Sequence, residues 1–241
     1  MDLPSRIPVL RDNPMFILEA RRVWRGPPAL VGVVLVLGIE GGVALFGWDE
    51  ARAASWPTHI ADACLVGWFV LGWLLALGVV PALLGGAISR EREEGRLDGI
   101  IVTGLPASSL LSGKLAVVAI PLVVLLTPMA LYSALAGSDD ISTGTTALFV
   151  IWALGAPLTA CLISLSVSAS SGRTRSAIPA AYVAVWAAAT VGWVVTLVAT
   201  RAAGPWKPGY IALLTAQWLV VMGCVGWWTA VRALRRLGAS G

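Results

Sequence analysis

Charge is what this sequence has least of. Asp, Glu, Lys and Arg make up 12% of its 241 residues, roughly half the share of an ordinary soluble domain, about 25%. Histidine occurs once, as His59, and cysteine three times, as Cys64, Cys161 and Cys224, each within an apolar run. No CxxC or Cys/His spacing exists, which argues against a disulfide framework or a zinc site. The cysteines read as small buried hydrophobes. With one histidine and almost no acids inside the apolar runs, general acid–base chemistry has few candidates. No catalytic residue, cofactor or metal is therefore expected. An intramembrane serine protease would need a Ser motif and a partner His within the membrane, and neither is present. Gly113-Lys114 lacks the GxxxxGK[ST] frame of a phosphate-binding loop, because Ser108 stands where Gly is needed and Leu115 follows the lysine. No basic surface interleaved with aromatics points to nucleic acid.

What is abundant is apolar surface. Hydrophobic residues make up 58% of the chain, and the mean hydropathy is +0.84, which predicts an integral membrane protein. Six runs are each long enough for about 30 Å of hydrocarbon. They are placed at about residues 29–48, 61–88, 115–136, 146–169, 178–200 and 210–231. The second is overlong, with Pro81 as an expected kink. The first follows about two dozen residues of polar, helix-like chain and is read as a true span, not a cleaved leader. Together they predict one all-α transmembrane domain over residues 1–241.

Orientation follows from the cations. With the N-terminus inside, the inner segments carry Arg6, Arg11, Arg21, Arg22, Arg25, Arg90, Arg92, Arg96, Lys114, Arg173, Arg175, Arg232, Arg235 and Arg236. The outer loops hold only Arg52, Arg201 and Lys207. Both termini are expected in the cytoplasm.

Residues 13–26 predict an amphipathic helix at the lipid boundary. Asn13 is a good N-cap and Pro14 a good first helical residue. Phe16, Ile17, Ala20, Val23 and Trp24 would share the apolar face, with Met15 and Leu18 as exceptions. Glu19, Arg21, Arg22 and Arg25 would occupy the other face, with the arginines at anionic headgroups. The alternative is a helix packed on the chain's own spans. Glu40 is the one acid deep in a predicted span, and Gln217 a weaker polar intrusion in the sixth. Such residues face protein or water, so both are candidates for a transport path or subunit seam. For Glu40 the alternative is a protonated or locally hydrogen-bonded structural role. Gly38 and Gly42, and Gly223 in the sixth span, are candidate close-packing points.

The densest charge cluster lies between the second and third spans, in residues 89–113. Its neck carries Arg90, Glu91, Arg92, Glu93, Glu94, Arg96 and Asp98. A short apolar segment follows, with Leu97, Ile100, Ile101 and Leu105. It is too short to span a membrane and suits a surface helix gripped by another protein.

At this point the chain resembles the permeases of type-2 ABC transporters. The run EEGRLDGIIVTGLPASSLLSGK is similar to their acidic neck, turn, acid, paired aliphatics, Thr-Pro-Leu-type break and Gly-Lys. Glu93 and Glu94 match the neck, Gly95 and Leu97 the turn, and Asp98 the acid. Ile100 and Ile101 match the aliphatics, and Thr103, Gly104 and Leu105 the break. Arg96 departs from the usual Thr, and Gly104 from the commoner Pro. NPMFILEARRVWRG is similar to the opening that forms their connecting helix. The resemblance implies a half-transporter without enzyme activity of its own, an exporter of a bacterial inner membrane. It would pair with a second permease subunit and dock a separate ATP-binding subunit. The segment at 89–113 would be the coupling helix, with Glu93, Glu94, Gly95, Leu97, Asp98, Ile100, Ile101, Thr103 and Leu105 at the docking surface. The alternatives are an ATP-independent secondary transporter or channel, disfavoured by the scarcity of buried ionisable groups, and a membrane scaffold that transports nothing.

Overall fold

The computed structural model describes residues 14–24, 73–102, 104–135, 143–202 and 208–238. Every element among them is helical. Helix α1 covers Pro14–Trp24. A π-helical stretch, Leu75–Val79, runs into α2, Val80–Leu84. Two short helices follow, α3 at Ser89–Glu93 and α4 at Arg96–Val102. Four long helices complete the chain: α5 at Ala107–Leu135, α6 at Thr143–Ser170, α7 at Thr174–Ala202 and α8 at Pro208–Gly238.

The widened turn before α2 has a local cause. Pro81 has no N–H to donate, and the Val80 N–H bonds back to the Leu75 carbonyl, five residues away, instead of four. The expected irregularity at Pro81 is thus a π-turn just ahead of it. The overlong second run does not continue as one rod to residue 88. It breaks into turn at residues 85–88 before α3 begins.

The long helices overshoot the predicted spans. At about 1.5 Å per residue, a 29-residue helix such as α5 reaches about 43 Å, past the hydrocarbon core. Helix α5 starts eight residues ahead of the predicted 115 because the Pro106 carbonyl accepts the Ser109 and Leu110 amides at 2.9 and 3.3 Å. Lys114, just ahead of the predicted third run, lies two turns inside this helix. Among the described residues, two windows are long and apolar enough to cross a membrane, Ala107–Val124 and Thr174–Val195. The predicted first span, Glu40 within it, and the beginning of the second lie outside the described residues.

Helices α6 and α8 form the most extensive pairing. A Cβ built on Gly226 would lie 3.1 Å from the Leu162 backbone, so a side chain there would press the two backbones apart. Gly223, expected at a packing point, faces the Leu162 side chain one turn earlier. The Thr159 hydroxyl donates to the Leu219 carbonyl at 3.3 Å across the same seam. Cys161 is fully buried there, as its sequence setting suggests, whereas Cys224 is exposed on the outer face of α8.

Helix α1 packs against α5. This corrects the expected distribution of its faces. Met15 and Glu19 are buried, Phe16 and Ala20 half-buried, and Ile17, Leu18 and Arg21 exposed. The two helices meet along the Met15–Glu19 edge because Gly113 of α5 has no side chain. A Cβ there would meet the Met15 side chain and the Phe16 amide at 2.9 Å.

Candidate functional site at the junction of the short helices

Helix α3 is short, yet it is fastened at almost every residue. The Ser168 hydroxyl of α6 accepts the Ile88 and Ser89 amides at 2.9 and 3.2 Å. Arg92 donates to the Ala169 and Ser171 carbonyls, both at 2.7 Å. Those carbonyls close the C-terminus of α6, where unpaired oxygens and the helix dipole favour a cation. Glu93 accepts the Thr174 amide at 3.0 Å, at the first residue of α7, where the dipole favours an anion. Adjacent side chains of opposite sign thus clamp the end of one long helix and the start of the next. The bonds from Thr174 hold the Glu93 carboxyl below its usual range, and Arg175 and Arg173 add to this.

On the other side of α3, Glu91 points to α5. The Lys114 ammonium donates to Glu91 at 2.7 Å and to Glu19 of α1 at 2.5 Å. The three residues Glu91, Lys114 and Glu19 are 5%, 4% and 8% exposed. One cation therefore joins three elements separated by 23 and 95 residues of chain. Burial pushes the Glu91 carboxyl above its ordinary range; Lys114 pulls it back, and the Glu19 charge pushes it further up.

Helix α4 is bounded by two glycines in the left-handed region, Gly95 at φ 69° and Gly104 at φ 72°. A side chain would be strained at either position. The turn before α4 carries an ion pair between Glu94 and Arg96, both about half exposed. Leu97 is 1% exposed and joins the core with Ile88, Leu110 and Leu111. Ile100 and Leu105 are half-buried against that core. Asp98, Gly99 and Val102 face outward, Val102 at 86% exposure.

The residues expected at a docking surface therefore divide. Glu94, Gly95 and Asp98 are exposed, Ile100 and Leu105 partly so. Leu97 roots α4 in the core, and Glu93 is engaged with α7. Thr103 lies outside the described residues, as does the side chain of Ile101. Gln217 is exposed on α8. Val102, absent from the expected surface, is the most exposed large apolar side chain described. Sequence reasoning also missed Glu19, Glu91, Arg92 and Lys114 as a structural set. A lone acid on an amphipathic helix and a lone lysine inside an apolar one were the available signals.

No protein-family model matches this chain, and a search of curated proteins finds no match to it.

Proposed function

We propose that this chain is the membrane-spanning subunit of a type-2 ABC transporter, an exporter in a bacterial inner membrane. In this reading it pairs with a second permease subunit and is driven by a separate ATP-binding subunit. The observation that carries the reading is the mounting of α4. A seven-residue helix holds Val102 in the open while Leu97 and the α3 clamps tie it to three long helices. A partner that grips α4 would move α5, α6 and α7 with it, which is what coupling ATP hydrolysis to a transmembrane bundle requires. Two apolar helices long enough to cross a bilayer fit the same reading. The runs beyond the described residues complete the six spans of the proposal, with both termini in the cytoplasm. Docking there would use Val102 with Ile100, Ile101 and Leu105, and nearby charges would select the partner.

The test is co-purification with an ATP-binding subunit encoded beside this chain. Val102→Asp puts a charge into the apolar docking surface without touching the fold, since the side chain is solvent-facing. Expression should stay normal while the ATP-binding subunit is absent from the purified complex. Wild-type stoichiometry with Val102→Asp and with the Ile100/Ile101 double change to Asp would rule the docking surface out.

A further inference from the structure

A cavity lies between the π-helical stretch, α6, α7 and α8, with about 380 Å³ of space up to its open mouth. Alanines leave it hollow. Ala156 and Ala160 of α6, Ala76 of the π-helical stretch and Ala188 of α7 line it with single methyl groups. Ile163 and Val185 complete its inner wall and are buried, as are Ala76, Ala156 and Ala160. Trp73 and Trp218, both half-buried, flank it. The Trp218 indole lies over Gly192 of α7, where a Cβ would come within 2.5 Å of its nitrogen. None of the described lining residues is charged, and the Thr159 hydroxyl already donates to the Leu219 carbonyl. A cavity of this kind holds no ordered water, because a water needs several polar partners. Its occupant must be apolar.

Depth decides which apolar occupant this is. At about 1.5 Å per residue, Val185 and Ala188 stand about 17 and 21 Å along α7 from Thr174, and Ile163 and Ala156 about 10 and 21 Å along α6 from Ser170. Those two helix ends are the ones clamped by Arg92 and Glu93. In a hydrocarbon core about 30 Å thick, the cavity lies among lipid tails and away from headgroups. The outer face of α7 at the same level, with Val183, Trp186 and Val191, is exposed and apolar, as contact with hydrocarbon requires. We infer that the cavity is a binding site for one acyl chain of a bilayer lipid, its tail lodged among Ala76, Ala160 and Ala188 between the two tryptophans. One wall is the π-helical stretch, a form that recurs at functional sites, and the Tyr182 hydroxyl ties it to α7 by donating to the Gly78 carbonyl at 2.6 Å. The inference takes from the proposed function only that α7 crosses a bilayer. It needs no ATP-binding partner.

The probe is a phosphatidylcholine carrying a diazirine near the end of one acyl chain. The full chain is placed in nanodiscs containing it and illuminated, and labelled residues are mapped by mass spectrometry. Label is expected at two places: on the outer face of α7 at Trp186 and Val191, and on α6 between Ala156 and Ile163, which a tail reaches only by entering the cavity. Ala160→Leu fills the floor and should abolish the α6 label while leaving the α7 label in place. Ala188→Phe fills the cavity from a half-buried position and should do the same, which decides the matter if Ala160→Leu does not fold. Val194→Phe, on the outer face of α7, should keep the α6 label. Label on α7 with none on α6, as when another part of the chain closes the mouth, would overturn the cavity site alone. An α6 label that persists in the folded filling variants would overturn it too. Label at neither place would overturn both the site and the membrane-spanning reading of α7.

Discussion

The α6–α8 seam and the junction around α3 are built on different chemistry. Along the seam, close approach depends on what is missing: Gly226 has no side chain, and the Leu162 backbone fills the space. At the junction, cohesion depends on what is added: Arg92, Glu93, Glu91, Lys114 and Glu19 each hold a group from a distant element. The seam is held by close packing, which fixes its register where Gly226 faces the Leu162 backbone. The junction is directional, because its ion pairs and hydrogen bonds hold in one geometry only.

The sharpest way to break this comparison is to remove the shared cation. Lys114→Met leaves two buried carboxylates facing each other and should cost about 3–5 kcal/mol, read as a large drop in thermal midpoint in detergent at neutral pH. A drop no greater than that of an exposed-site control would mean the cluster is solvated. Next comes the seam. Gly226→Val drives a branched side chain into the Leu162 backbone and should cost about 1–3 kcal/mol by overpacking. Helicity should be retained in circular dichroism while the thermal midpoint falls. An unchanged midpoint would mean that α6 and α8 can part without loss.

Glu93 gives a smaller effect with a defined pH signature. Its carboxyl titrates below the usual range when folded, so the stabilisation is present above the unfolded value and is lost as pH falls through the folded one. Glu93→Gln should therefore flatten the acid side of a thermal-midpoint profile and leave its slope in base unchanged. The smallest effect belongs to the exposed Glu94–Arg96 pair. Arg96→Ala should change stability by about 0–1 kcal/mol, and a larger loss would place the turn at Gly95 within the cooperative core.

Much of the helical body could be read from residue order. Four of the six apolar runs correspond to α5, α6, α7 and α8, because a long apolar run leaves the backbone no better way to satisfy its own hydrogen bonds. The helices run on past the ends set for those runs, and Lys114 lies within one of them. Lys114 looked like the edge of a span because its neutralising partners are remote in sequence. Glu19 read as part of the outward polar face because an isolated helical wheel cannot register a neighbouring helix. The exposed part of α4 was legible as a charged neck and short apolar segment. Which aliphatics face inward was not: Leu97 and Val102 are equally apolar, and the core accepts one and leaves the other in the open.

By itself, then, residue order determined that this chain is helical and apolar, where its long helices run, and that its charges gather at one short segment. These are local properties, set by hydropathy and by the punctuation of Pro and Gly. The three-dimensional arrangement decided which charges are structural. Glu91 and Glu93 are two residues apart on one five-residue helix, yet one is buried on Lys114 and the other caps α7. Only the placement of α1, α5, α6 and α7 around α3 distinguishes them, because the energy of a charge depends on what surrounds it in space.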